Sequence, residues 1–346
     1  MKLAYVTRGW SGHDERFVTA WREAGVSTTA MPLTTGEYPG RGEWAELAAK
    51  LEEERPDLVQ AGPLYLVAEG VRQLWTGPLL ATSWGWDLMG MPDARQDLVH
   101  SVERSVRSAT MLLVDSDPSR AVAEQLGARS ERVVQFPWGV DTSRFTPSGP
   151  AGVRDQLGLP ADTILVLSTR RHEPVYDVDT LLSAFEIVAP RIPRLHMVIA
   201  GEGSQTPQLR ATIHRAGIGG RVSFVGALAP SALPEFYRSA DTYVSCSLTD
   251  GTSVSLLEAM ASGTPCVVTD IPGNRPWADP GAVDLFAPRD TTELAELLSR
   301  ITPREGVRAV TDRVRRRILK DADWASTAAT FGALAERVVA AHREDV

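Results

Sequence analysis

Short apolar runs alternate along the whole chain with longer segments of helical period. In the first half the apolar runs fall at 2–7, 27–32, 57–61, 79–83, 111–115 and 132–136, with helical stretches such as 43–55 and 98–107 between them. Strands alternating with helices predict a parallel sheet covered on both faces, whose ligands gather at the carboxyl ends of the strands. The pattern restarts at Thr163: 164–168, 197–200, 222–226 and 266–268 read as further buried strands. Leu181, Ala184, Phe185 and Val188 share one face of a helix between the first two of these. The turn-rich Thr146-Pro147-Ser148-Gly149-Pro150 separates the halves and marks a domain boundary near 147/148. In the tail, Trp324, Ala328, Phe331, Ala335 and Val338 recur at helical spacing, predicting one amphipathic helix.

At 346 residues the chain exceeds one small core, and two domains of about 150 residues are expected. With 43% hydrophobic and 23% charged residues, the composition is that of a globular protein. No apolar run reaches the roughly 18 residues of a membrane span, and the N-terminus enters a strand directly, so neither a secretory signal nor a spanning helix is expected. Both cysteines, Cys246 and Cys266, lie in apolar runs, which predicts reduced core thiols and a cytoplasmic protein. A net charge of −8 argues against nucleic acid as a partner. The basic run Arg313-Val314-Arg315-Arg316-Arg317 with Lys320 reads as a solvated helix face. No carboxylate or histidine cluster has metal-ligand spacing, so neither a metal nor another cofactor is expected.

Residues 249–270, TDGTSVSLLEAMASGTPCVVTD, concentrate the candidate chemistry. An acidic turn, Asp250-Gly251-Thr252-Ser253, leads into a mostly apolar helix that carries Glu258 and stops at Gly263-Thr264-Pro265. A carboxylate inside that helix must face water, a partner or a ligand, because burying it unpaired is costly. Ser255 and Glu258, three apart, share a helix face, and the open N–H groups at the helix start suit a phosphate. The same residues also describe an ordinary loop, helix and strand with a solvated glutamate.

Other post-strand loops carry further candidates. After the first strand, Gly9 and Gly12 permit a tight turn, and His13 and Asp14 either meet a ligand or simply begin a helix. The run is not GxGxxG, so nothing points to a nicotinamide or flavin. After the fourth strand, Trp84-Gly85-Trp86-Asp87 offers two aromatics suited to the apolar face of a sugar or flat acceptor, or to the core. Arg170 and Arg171 follow the strand at 164–168, where guanidinium groups match diphosphate oxygens or remain surface charges.

With its flanking residues, 249–270 resembles the acidic signature of retaining nucleotide-sugar glycosyltransferases of the group 1, glycogen-synthase-like (family 4) type. Asp250 and Glu258 stand eight apart, and Ala259-Met260-Ala261-Ser262-Gly263-Thr264-Pro265 follows. Asp250, where Glu is usual, looks like the residue near the donor sugar, and Glu258 like the one that holds the ribose hydroxyls. Pro137-Trp138-Gly139-Val140-Asp141 with Phe145 resembles the family's hinge segment, and Gly201-Glu202-Gly203 its loop under the nucleotide. Arg170 and Asp179 fit the family pattern, whereas Tyr176 occupies the usual place of a phosphate-binding lysine. That leaves Arg171 or His172 to compensate. Trp84 stands where a histidine is common, with Asp87 kept.

The resemblance implies a GT-B fold: two Rossmann-like parallel-sheet α/β domains facing across a cleft. The acceptor-side domain would span 1–147 and the nucleotide-sugar domain 148–322, with a tail helix, 323–346, packing back on the first. It implies retaining, metal-independent transfer of a hexosyl group from a GDP- or UDP-linked sugar, with Arg170 and Asp250 catalytic. Gly12, Arg170, Arg171, Tyr176, Gly201, Gly203, Thr252, Ser253, Val254 and Glu258 would bind the donor, and His13, Asp14, Trp84 and Asp87 would face the acceptor. The acid-rich helix at 43–55 lacks a basic membrane-binding face, so a soluble small-molecule acceptor in a natural-product or metabolite pathway is expected. A nucleotide-sugar epimerase of the same fold and a non-catalytic nucleotide-sugar binder are the alternatives, the second suggested by Trp84 and Tyr176.

Overall fold

A computed structural model describes residues 1–34, 39–90, 95–303 and 308–345. It divides into two compact units, Met1–Trp138 with Trp324–Val346, and Gly139–Asp323. In the first unit β1 (Lys2–Arg8), β2 (Ser27–Leu33), β3 (Leu58–Gly62), β4 (Leu79–Thr82), β5 (Met111–Val114) and β6 (Val133–Gln135) form one parallel sheet of order β2-β1-β3-β4-β5-β6. In the second, β7 (Ile164–Ser168), β8 (Leu195–Ala200), β9 (Val222–Gly226), β10 (Thr242–Ser245), β11 (Cys266–Thr269) and β12 (Val283–Phe286) form another, of order β12-β11-β10-β7-β8-β9.

The inner strands β1, β3, β4, β5, β7, β8, β10 and β11 are mostly buried along their length because helices cover both faces of a parallel sheet. Alternation then divides their side chains. Leu165, Leu167 and Val198 join Tyr243 and Val268 in one core, while Ile164, Val166, Met197 and Ile199 join Val244 in the other. The chain builds outward from β7 through β8 and β9, then returns to the other side of β7 with β10. Strand order therefore reverses between β7 and β10, the kind of place where parallel sheets bind ligands at the carboxyl ends of their strands. In the first sheet the reversal falls between β1 and β3.

Three details differ from the sequence expectation. The first unit ends at Trp138 and not at 147, because Val140 and Phe145 are buried in a core of the second unit. Arg315 clamps the same segment, donating to the carbonyls of Thr142, Phe145 and Ala261. Arg315 is thus no solvated charge; of its neighbours, Arg313 pairs with Asp279 and Arg317 lies over the Trp277 ring. The tail is two helices, Trp324–Ala328 and Phe331–Asp345, because Thr330 turns both its N–H and its hydroxyl onto the Thr327 carbonyl. The second of these buries Phe331 against Trp21 and Phe17 of the first unit. Among the described residues, no helix is long and apolar enough to cross a membrane.

Candidate active site

The helix Val254–Ala261 begins at the carboxyl end of the β10 region, and its N-cap residue, Ser253, makes no capping hydrogen bond of its own. The Ser253 hydroxyl instead faces Arg170, which leaves β7 at the strand-order reversal. One Arg170 nitrogen donates to Ser253 Oγ at 3.0 Å and Ser255 Oγ at 2.8 Å, and the other donates to Asp250 at 2.8 Å. Tyr176, at the end of the short turn Pro174–Tyr176, lays its ring 4.2 Å from the guanidinium carbon. The Arg170 and Asp250 side chains are only 11% and 16% exposed, so little water screens the pair. Burial pulls the Arg170 pKa down, but the charge of Asp250, and then the Tyr243 and Tyr176 phenols, more than reverse this and raise it. Arg170 is a permanent cation at a helix amino end.

Glu258 lies one turn further along the helix. Its Oε2 accepts a hydrogen bond of 2.9 Å from Tyr237, a fully buried phenol whose oxygen also lies 2.9 Å from Thr169 Oγ1. Thr169 in turn lines a cavity of about 570 Å³, with Arg171, Gly201, Gly203, Ala227 and Leu228 among its walls. That volume is in the range of small-ligand sites. Gly201 and Gly203 are required here by close approach: a Cβ at Gly201 would stand 2.5 Å from the Arg170 carbonyl oxygen, and one at Gly203 would stand 2.4 Å from that of His172. The two glycines let the β8 loop press against the β7 loop and shape the cavity.

Arg171 reaches into solvent, 73% exposed and 3.7 Å from Glu173. His172 is not a second cation. It is buried, its Nδ1 lies 2.8 Å from Thr206 Oγ1, and burial followed by the charge of Arg210 lowers its pKa. The site thus brings Arg170, Asp250, Ser253 and Tyr176 into one cluster and links Glu258, through Tyr237, to Thr169 on the cavity wall. Tyr237, Tyr243, Ser255 and Thr169 were not singled out as partners from the sequence. Their only sequence signal is the shared helix face of Ser255 and Glu258.

In the first unit the acceptor-side candidates separate. Asp14 is turned inward: it accepts from Tyr5 at 3.0 Å and from the Ser11 backbone, closing a capping box at the start of the helix Gly12–Glu23. Asp87 is also buried, accepting from Ser83 Oγ at 2.5 Å and the Leu64 N–H at 2.8 Å. Both carboxylates are buried and brace their own loops. Trp84 is half-buried, with Phe17 at 5.6 Å, Trp138 at 5.5 Å and His13 at 6.1 Å between ring centroids. Trp86 is 41% exposed beside Tyr65. Gly12 opens its helix with nothing near its Cα face.

Burial raises the Asp87 carboxyl from 3.8 to about 6, against the hydrogen bonds from Ser83 and Leu64 and with help from the charge of Asp115. A folded pKa above the ordinary value gives a stabilising contribution that is complete below pH 3.8 and is lost as pH rises through about 6. Asp87→Asn should remove that dependence. Between about pH 4.5 and about pH 7.5, its unfolding free energy relative to wild type should rise by about 2 kcal/mol. A constant difference in denaturant unfolding across that window would show that the Asp87 carboxyl is not raised.

Among the described residues, no group of three or more His, Cys, Asp or Glu side chains is arranged to hold a metal ion. Comparison with known proteins shows a match of residues 152–313 to the family described as glycosyl transferases group 1. A mannosylfructose-phosphate synthase of Agrobacterium fabrum is 32% identical over 157 residues, covering 42% of this chain and 34% of that protein. A D-inositol 3-phosphate glycosyltransferase of Saccharomonospora viridis is 32% identical over 239 residues, 65% of this chain and 55% of that one. The chain spans about half the length of the curated relatives it matches. Among solved structures, sucrose-phosphate synthase from Thermosynechococcus elongatus superposes with a TM-score of 0.85 at 20% identity, over 99% of this chain and 100% of that one. HepE of Anabaena, solved with UDP-glucose, gives 0.82 at 19% identity, over 96% and 98%. At such identities the likeness is one of fold, and that fold is GT-B, built from two Rossmann-like parallel-sheet domains.

Proposed function

We propose that this chain, whose residues 152–313 match the group 1 glycosyl transferases, is a member of that family that moves a hexosyl group from a GDP- or UDP-linked sugar to a soluble small-molecule acceptor, with retention and without a metal. The observation that carries this reading is the buried Arg170–Asp250 pair at the amino end of the helix that also bears Glu258. In the reaction, the anomeric carbon parts from the diphosphate oxygen and bonds to an acceptor hydroxyl oxygen on the same face. The hydroxyl proton passes to the departing diphosphate, which leaves as the nucleoside diphosphate.

The residues divide the work as follows. Arg170 and the N–H groups of Thr252, Ser253 and Val254 supply a preorganised positive field where leaving-group charge develops. Arg171, on the cavity wall and largely exposed, is the cation that can follow the diphosphate in place of the absent lysine. Asp250, fixed by Arg170, orients the donor sugar, and Glu258 takes the ribose hydroxyls. The curated relatives are named for mannosylfructose phosphate and D-inositol 3-phosphate, both small and polar, which favours a soluble acceptor. The buried free thiols Cys246 and Cys266 suit a reducing, cytoplasmic setting.

Calorimetric titration with UDP, GDP, ADP and dTDP tests the reading directly. One nucleotide should bind selectively, and its hexose conjugate should then be consumed in the presence of a sugar or polyol acceptor, with EDTA making no difference. Failure of all four to bind would overturn the transferase reading. Binding without consumption across a broad acceptor panel would favour the non-catalytic alternative, and conversion of the donor to an isomer the epimerase.

A further inference from the structure

We propose that two buried tyrosines, Tyr237 and Tyr243, are positioning residues that each hold one of the two site carboxylates, Glu258 directly and Asp250 through Ser255 and Arg170. The inference rests on the reading of Glu258 as a ribose contact and Asp250 as a sugar contact. The two rings pack edge to face, 5.7 Å apart, and both are fully buried. They come from different elements, Tyr237 from the helix Leu233–Ser239 and Tyr243 from β10. Both hydroxyls reach the same helix, Val254–Ala261, at positions three apart. Tyr237 donates to Glu258 Oε2 at 2.9 Å, and Tyr243 donates to Ser255 Oγ at 2.8 Å. Ser255 accepts in turn from Arg170, which holds Asp250. One phenol therefore acts on Glu258 directly, and the other acts on Asp250 through Ser255 and Arg170.

A tyrosine suits this task because its ring is a rigid arm anchored in the core, with its polar end at the site. Phe145 backs the Tyr237 ring at 5.9 Å, so the arm has little freedom to swing. The hydroxyls remain donors across neutral pH: burial raises both pKa values, and the charge of Glu258 raises that of Tyr237 further. Removing either oxygen as Phe leaves the packed ring in place. Each variant therefore reads the hydrogen bond and not the core.

The test uses calorimetry on the intact chain with UDP and UDP-glucose, and with GDP and GDP-mannose, and needs no acceptor. Tyr237→Phe should weaken the free nucleotide and its sugar conjugate by the same factor, about tenfold, since both carry the ribose. Tyr243→Phe should weaken the sugar conjugate by a larger factor than the free nucleotide, since Asp250 meets only the sugar whereas Arg170 meets the diphosphate that both ligands carry. Parallel losses for both ligands in both variants, or lowered unfolding midpoints with all affinities unchanged, would mean a structural role and overturn the inference. Glu258→Ala separates the two levels. If it weakens the nucleotide while Tyr237→Phe does not, the positioning role alone fails. If Glu258→Ala itself has no effect, the ribose assignment fails and this inference falls with it.

Discussion

An Arg170→Met variant is expected to lose both stability and turnover, and to regain only stability when Asp250→Asn is added. The single change leaves the Asp250 carboxylate, 16% exposed, without its cation, and leaves the Ser253 hydroxyl with Ser255 and the Ser255 hydroxyl with Ser253 and Tyr243. Removing one member of a buried ion pair costs about 3–5 kcal/mol, because the remaining charge keeps its desolvation penalty. Asparagine at 250 carries no charge, so the double variant should recover most of that loss. Turnover should stay down by roughly 100- to 1,000-fold, the scale for removing a preorganised electrostatic contact. Denaturant midpoints and nucleotide release from the selected donor read the two effects separately. Wild-type stability in Arg170→Met would show that the pair does not hold the fold, and restored turnover in the double variant would show that its role is structural alone. The pair is poorly optimised for stability alone, since Arg170 Nε is buried with no acceptor.

Much of this site was legible because its signals are local. A parallel strand buried on both faces reads as an apolar run, so β7 and β8 show in the sequence almost at their true limits. Helical spacing places Ser255 and Glu258 on one face, and the structure finds both facing buried phenols. What sequence cannot show is the direction in which a polar side chain is turned. Asp14 and Asp87 follow strands, as ligand contacts do, yet each accepts from a backbone N–H of its own unit. Telling such a brace from a ligand contact requires knowing which N–H groups surround it, and in the case of Asp87 the donor is Leu64, 23 residues away. His172 reads as a spare cation until its burial is known. The unit boundary shifted for a similar reason: the turn residues at 146–150 are conspicuous, but the burial of Val140 and Phe145 decides which unit owns them.

Glu258→Ala should weaken nucleotide binding about 10- to 100-fold, the value of one or two hydrogen bonds to a charged group. It should also erase discrimination between ribose and 2′-deoxyribose. The second effect is the more diagnostic. A site whose bound ribose covers a half-buried carboxylate such as Glu258 rejects an analogue that lacks a hydroxyl, because the acceptor is then desolvated without a donor. Without that acceptor, nothing distinguishes the two sugars. Wild type should therefore bind the selected ribonucleotide more tightly than its 2′-deoxy form, and the variant should bind both equally. Collapse of the cavity does not mimic this outcome. Tyr237 keeps Thr169 as a partner 2.9 Å away when the carboxylate is gone, so its buried hydroxyl is not orphaned and the cavity wall it supports persists. If the variant still prefers the ribonucleotide, some other group reads the ribose, and the cavity-facing Glu202 is the next carboxylate to replace.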